Sequence, residues 1–203
     1  MRLWNGWGNE DSDLTMELSD GLRTLLEALV GSGTALSQAT LNEVIAKVPN
    51  TRLDDHPLIK TDPETRVRHA RGQSLPDWLE MHSGNVETFP DGVAFPESSE
   101  QVRELLAHAK ENNLIVIPYG GGTSVVGHIN PETSDKPVLT IDMAKMNSML
   151  SIDTESQLAT FGAGAPGPVV EEELKKHGYT LGHFPQSWEL STLGGWVASR
   201  SSG

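Results

Sequence analysis

The chain of 203 residues has no cysteine. Disulfides, thiolate catalysis, Cys-ligated zinc and iron–sulfur clusters are therefore excluded from it. Basic residues are scarce: 15 Lys and Arg stand against 28 Asp and Glu, a net charge of −13. Nucleic-acid phosphates demand a basic face, so that partner class is disfavoured, and an anionic membrane surface with it. No apolar run approaches the roughly 20 residues that span a bilayer, so no transmembrane segment is expected. The opening residues Met1 to Glu10 hold no apolar stretch of a secretory signal. The expected compartment is cytoplasmic, with a membrane-peripheral or peroxisomal placement left open.

The most informative stretch is Pro118-Tyr119-Gly120-Gly121-Gly122-Thr123-Ser124. It follows the apolar run Leu114 to Ile117, which reads as a buried strand. Three glycines strip the turn of Cβ atoms, and Thr123 and Ser124 add hydroxyls. Backbone N–H groups in such a turn can approach an anion closely, as a pyrophosphate requires. A second segment, His183 to Gly203, combines small residues, hydroxyls, a Gly194-Gly195 pair and Arg200. Two such segments suit an extended cofactor with a diphosphate in its middle.

The rest of the chain has two grammars. Residues 1–17 are polar and Gly/Trp-rich, with Trp4 and Trp7 as anchors on a neighbouring domain or as parts of a loosely docked terminus. Ser19 and Asp20 cap a helix carrying Leu22, Leu25, Leu26, Leu29 and Val30. A second helix, Ser37 to Val48, presents Leu41, Val44, Ile45 and Val48 on one face, and the two helices form a small accessory unit. Residues 49–64 read as a connector, Asp62 to Thr65 as a helix start, and Ser74 to Met81 as a short helix. From about residue 90 strand and helix alternate. Strands are expected at 93–95, 114–118, 138–142 and 158–161. Helices are expected over 101–112, with Val102, Leu105, Leu106 and Ala109 inward, and over 168–177. The chain ends directly after the second glycine-rich segment and reads as a piece of a longer protein.

These residues resemble the FAD flavoproteins of the vanillyl-alcohol oxidase / p-cresol methylhydroxylase (PCMH-type) class. Within it, they look most like alkyldihydroxyacetonephosphate synthases and their bacterial relatives. Four features carry the likeness: Trp4 to Gly8, Arg66 to Gly72, the triple-Gly turn, and Ser187 to Trp196. The resemblance implies an α+β, PCMH-type FAD-binding domain, its N-terminal half at 90–203, preceded by a helical region at 1–89. It also implies a small-molecule or lipid-like substrate and catalytic Tyr and His residues beyond this sequence. The family reaction exchanges an acyl for an alkoxy group on acyl-dihydroxyacetone phosphate through flavin N5. An FAD-linked oxidase or dehydrogenase of a hydroxy acid or alcohol is the alternative, and a non-catalytic binding module the third reading. Half of such a domain would expose strand edges, so dimerisation or aggregation is expected.

By this resemblance Gly120, Gly121, Gly122, Thr123 and Ser124 take the FAD diphosphate, and Pro118 and Tyr119 belong to the same cofactor-contacting segment. Gln186, Ser187, Glu189, Ser191 and Thr192 contact the adenosine and diphosphate side or order the loop that does, with Trp188 and Leu190 in the same cofactor-binding segment. Gly194 and Gly195 allow close approach to the flavin ring or diphosphate, and Ser199, Arg200, Ser201 and Ser202 match a further FAD segment. Thr123 stands where some relatives carry a flavin-linked histidine, which favours noncovalent FAD. Arg66, Arg68 and Arg71 form a basic cluster for a phosphate or for interdomain salt bridges. The seven histidines are scattered and read as surface or capping residues, with no metal site. Glu171, Glu172 and Glu173 favour the start of a helix.

Overall fold

The computed structural model describes residues 2–11 and 18–201. The first region holds helices α1 (Asp20–Val30), α2 (Leu41–Ile45), α3 (Pro63–Arg68) and α4 (Leu75–Ser83), with a two-residue strand β1 (Ile59–Lys60) between α2 and α3. Each helix starts on a side-chain cap: Ser19, Thr40, Asp62 and Ser74, with reciprocal capping boxes at Thr40–Glu43 and Ser74–Asp77. Val44, Val67, Ala70, Met81, Val86 and Phe89 form one core, and Trp4 packs against it. The N-terminal tryptophan is thus an anchor on this region. The leucines of α1 join no core: Leu29 and Val30 are 71% and 81% exposed. The pattern marked a face capable of burial; α2 meets a partner and α1 does not.

Strands β2 (Gly92–Ala94), β3 (Ile115–Tyr119) and β4 (Val138–Asp142) follow, with helix α5 (Ser99–Glu111) crossing between β2 and β3. The sheet order is β1-β2-β4-β3, with β1 antiparallel and the other three parallel. β3 is an edge strand carrying the exposed Pro118. Leu105 of α5 packs over Ala94, Leu139 and Ile141, and Ala109 on the same face is buried. Leu106, expected inward, is 48% exposed because it lies one step round the helix from that contact line. Arg52 ties the regions together. Its guanidinium makes two 2.8 Å bonds to Asp91 and reaches the carbonyls of Ser134 and Lys136. Burial pushes the Asp91 carboxyl up, but Arg52 and the N–H groups of Val138 and Arg52 hold it below the usual range overall.

A separate antiparallel pair, β5 (Met149–Asp153) and β6 (Leu158–Phe161), leads into α6 (Gly167–Lys175). Glu171 lies in the second turn of α6, and its carboxylate braces the 180–182 loop by accepting from Thr180 Oγ1 and the N–H groups of Leu181 and Gly182. The last helix, α7 (Leu193–Ser199), forms within the second glycine-rich segment. This is the mixed α+β architecture expected of the resemblance.

Candidate functional site

The two glycine-rich segments face each other across a cleft of about 670 Å³. One wall is the turn that follows β3, and the other is the loop before α7 and that helix's inner side. They meet directly. A Cβ on Gly121 would lie 1.9 Å from the carbonyl oxygen of Leu190, and one on Gly120 would lie 2.4 Å from Thr192 Oγ1. The glycines on this side let two backbones touch.

The donor groups of the two walls differ. Gly121 and Gly122 are buried. Among the described residues, the N–H groups of Gly121, Gly122, Thr123 and Ser124 meet no protein acceptor. Buried backbone donors are almost always paired, so those of Gly121 and Gly122 call for an acceptor from outside the chain, and Thr123 and Ser124, half-buried, continue the row. On the opposite wall Leu193 N–H donates to Ala165 O and Gly194 N–H to Ala163 O, both at 2.8 Å. Gly195 N–H donates to the Thr192 cap at 3.3 Å. A Cβ on Gly194 would lie 2.7 Å from the Ala163 oxygen. The Gly194-Gly195 pair therefore serves the contact between α7 and the loop before α6, and its N–H groups are not available to a ligand.

Behind the triple-Gly turn lies a polar floor. His69, at the end of α3, has Nδ1 2.7 Å from Thr65 O and Nε2 3.0 Å from Asp142 Oδ2. This histidine is 8% exposed, a buried bridge between α3 and β4 rather than the surface residue expected. Its ring lies 4.7 Å from that of Tyr119. Burial pushes the Tyr119 phenol up to about 12, with the Asp142 carboxylate adding and Arg2 opposing. The Arg2 guanidinium donates to the carbonyl of Gly121.

Pro118 to Ser124 all line the cleft, as do Ser187, Ser191, Thr192, Gly194, Gly195, Ser199 and Ser201. Gln186, Trp188, Glu189, Leu190 and Arg200 do not. Gln186 and Glu189 are exposed. Trp188 packs over Gly167 at the start of α6 and beside Phe184. Leu190 meets the turn through its carbonyl, and Arg200 is the exposed left-handed cap of α7. Ser202 lies outside the described residues. Val125, Val126, His128, Ile129, Met143, Ala163, Trp196 and Ala198 also line the cleft and were not singled out. Trp196 stood inside the quoted motif. Met143 and Ala163 carry no sequence signal, because only the chain's return through β4 and β6 brings them to the cleft.

The arginine cluster is spread out and engaged elsewhere. Arg66 is 1% exposed and donates to the carbonyls of Pro90 and Pro49. Arg71 binds Glu80 and the carbonyls of Ala70 and Thr88. Arg68 holds Glu64, Glu10 and the carbonyl of Arg2. These side chains hold the N-terminal region together and tie it to Thr88 and Pro90, on the segment that leads into β2.

An alkyldihydroxyacetonephosphate synthase of Dictyostelium discoideum is 41% identical over 145 residues, covering 71% of this chain and 24% of that protein. A mitochondrial D-lactate dehydrogenase [cytochrome] 1 of Saccharomyces cerevisiae is 32% identical over 127 residues, covering 62% of this chain and 21% of that protein. A solved alkyldihydroxyacetonephosphate synthase superposes with a TM-score of 0.84 at 31% identity, covering all of this chain and 42% of that one. The chain thus spans less than half the length of each of these relatives. Residues 90–203 match the FAD binding domain family, which takes in both walls of the cleft and more than half the sequence, and the chain belongs to that family.

Proposed function

We propose that the cleft holds FAD noncovalently, with the diphosphate against the N–H groups of Gly121, Gly122, Thr123 and Ser124. The observation that carries this reading is that row of unpartnered backbone donors, two of them on buried glycines. Such a row neutralises an anion without a lysine, and the wall has none. Thr123 offers no nucleophile suited to a ring attachment, which supports a cofactor held by contacts alone. The apolar side chains of Val125, Val126 and Ile129 continue the same wall and suit a flat aromatic group beyond the diphosphate.

The protein that carries this domain is read as an alkyldihydroxyacetonephosphate-synthase-type enzyme of ether-lipid synthesis. The similarity across the whole chain, N-terminal region included, to a solved synthase supports it. When bound, the flavin supplies an electrophilic ring nitrogen for an acyl-for-alkoxy exchange without net redox change. What this chain contributes is binding and orientation: the turn fixes the diphosphate and the α7 wall closes the other side. A second reading, an FAD-linked oxidoreductase, is favoured by the similarity to the D-lactate dehydrogenase.

The test is titration of the purified chain with FAD, followed by acid precipitation. Quenched flavin fluorescence, with all flavin released on precipitation, is the expected result. Absence of binding overturns the cofactor site, and flavin kept in the pellet overturns noncovalent attachment. In the complete protein, product analysis with acyl-dihydroxyacetone phosphate against dye reduction by hydroxy acids separates the two readings.

A further inference from the structure

We propose that Arg2 is a positioning residue for the diphosphate turn, delivered by the N-terminal segment to set the direction of the Gly121–Gly122 peptide. The proposal rests on the FAD reading above and extends it to residues outside the matched 90–203 span. A peptide unit is planar and trans, so its C=O and N–H point in opposite directions. The Arg2 guanidinium donates to the Gly121 oxygen, and the Gly122 N–H of that same peptide is one of the unpartnered donors. Holding the oxygen on the side of the N-terminal segment turns the N–H away from it, into the cleft that Gly122 lines. Without that hold a glycine–glycine peptide is free to rotate and present its carbonyl to the diphosphate, replacing attraction by repulsion.

The hold is reinforced at both ends. The Arg2 backbone is itself gripped, because Arg68 Nη1 donates to its carbonyl at 2.9 Å and Arg68 also binds Glu10. Leu3 N–H donates to Gly8 O at 3.0 Å and Arg2 bridges to Asn9, so residues 2–9 form a small closed loop. At the far end of the turn the Ser124 oxygen accepts from Gln73 N–H at 2.6 Å. Carbonyls at both ends of the turn, those of Gly121 and Ser124, are thus held by residues of the N-terminal region; the first fixes the peptide that carries the Gly122 N–H, and the second anchors where the turn leaves the cleft. The segment 2–10 is therefore a working part of the cofactor site.

The experiment compares the full chain with Arg2→Met and Arg2→Lys, all with an unextended N-terminus. FAD affinity is read by quenching of flavin fluorescence. The Gly122 amide is followed in ¹⁵N spectra of the ligand-free proteins. The expected result is at least a tenfold loss of affinity in Arg2→Met, recovery to within about threefold in Arg2→Lys, and a moved Gly122 amide in Arg2→Met while amides of β2 and β4 stay in place. An unmoved Gly122 amide in Arg2→Met overturns the proposal, and so does unchanged affinity. If the unaltered chain binds no FAD, the cofactor reading fails by itself, and the amide comparison alone decides whether Arg2 sets the peptide. Should Arg2→Met lose the sheet amides altogether, Arg2→Ser, which stays polar but is too short to reach the Gly121 oxygen, replaces it with the same two decisive readouts.

Discussion

The two walls of the cleft both set glycines beside hydroxyl residues and do different things with them. The turn after β3 leaves a row of N–H groups without protein partners among the described residues. The start of α7 has its N–H groups taken by Ala165, Ala163 and the Thr192 side chain. Glycine in the first wall makes a concave donor surface; glycine in the second lets α7 lie on the Gly162–Ala165 loop. A glycine-rich motif therefore marks a place where backbone comes close to something. Whether that is a ligand or another stretch of chain is decided by what the N–H groups face.

Substitutions can separate the two roles. The largest effect is expected where a glycine lies directly on another stretch of backbone. Gly121→Ala drives a Cβ into the Leu190 carbonyl, and Gly194→Ala into Ala163. Each is expected to cost about 3 kcal/mol or more of stability, since backbone on both sides must shift. Chemical denaturation reads this: a loss under about 1 kcal/mol at Gly121 would show that the two walls are not in contact, and one at Gly194 that α7 does not lie on the 162–165 loop. A smaller change is expected from Thr192→Val, which removes the cap of α7 and should cost about 1 kcal/mol. Because that cap serves the helix and not the ligand, FAD affinity should fall by less than threefold; a tenfold loss would move α7 into the donor role. The smallest effect at neutral pH belongs to Tyr119 beneath the first wall. One of the chain's two phenols should ionise only near pH 12, read at 295 nm. Its folded pKa lies above its unfolded value near 10, so its contribution is intact below pH 10 and is lost as pH climbs from 10 to 12. Tyr119→Phe should remove that phase from the titration, and an unaltered curve would place the raised phenol elsewhere.

How much of this was legible in the sequence depended on how local its cause is. Strands at 138–142 and 158–161 fall where the apolar alternation put them, and the caps at Ser19 and Asp62 announced their helices. Helix α7 was not foreseen, because Leu-Gly-Gly-Trp-Val-Ala-Ser has poor intrinsic helix propensity. It forms because Thr192 caps it and Ala163 and Ala165 accept its first N–H groups. Strand β1 lay hidden in a connector, where two residues carry no period and pair with β2 only in the assembled sheet. The triple-Gly wall of the cleft was readable as a contiguous motif. The floor was not: His69, Asp142, Tyr119 and Arg2 lie far apart in sequence and meet only through the parallel sheet and the N-terminal loop.

Pro118 stands in the edge strand β3, one residue from the end of that strand. An open parallel edge next to a flexible glycine turn is a template on which another chain could add a strand. Proline has no N–H to offer, so the ladder of donors along that edge breaks just before the glycines. The residue that looks like the first letter of a ligand motif thus also acts as a guard against self-templating. A neighbouring strand pairing along this edge would lose its donors there and could not run its ladder on into the glycine turn.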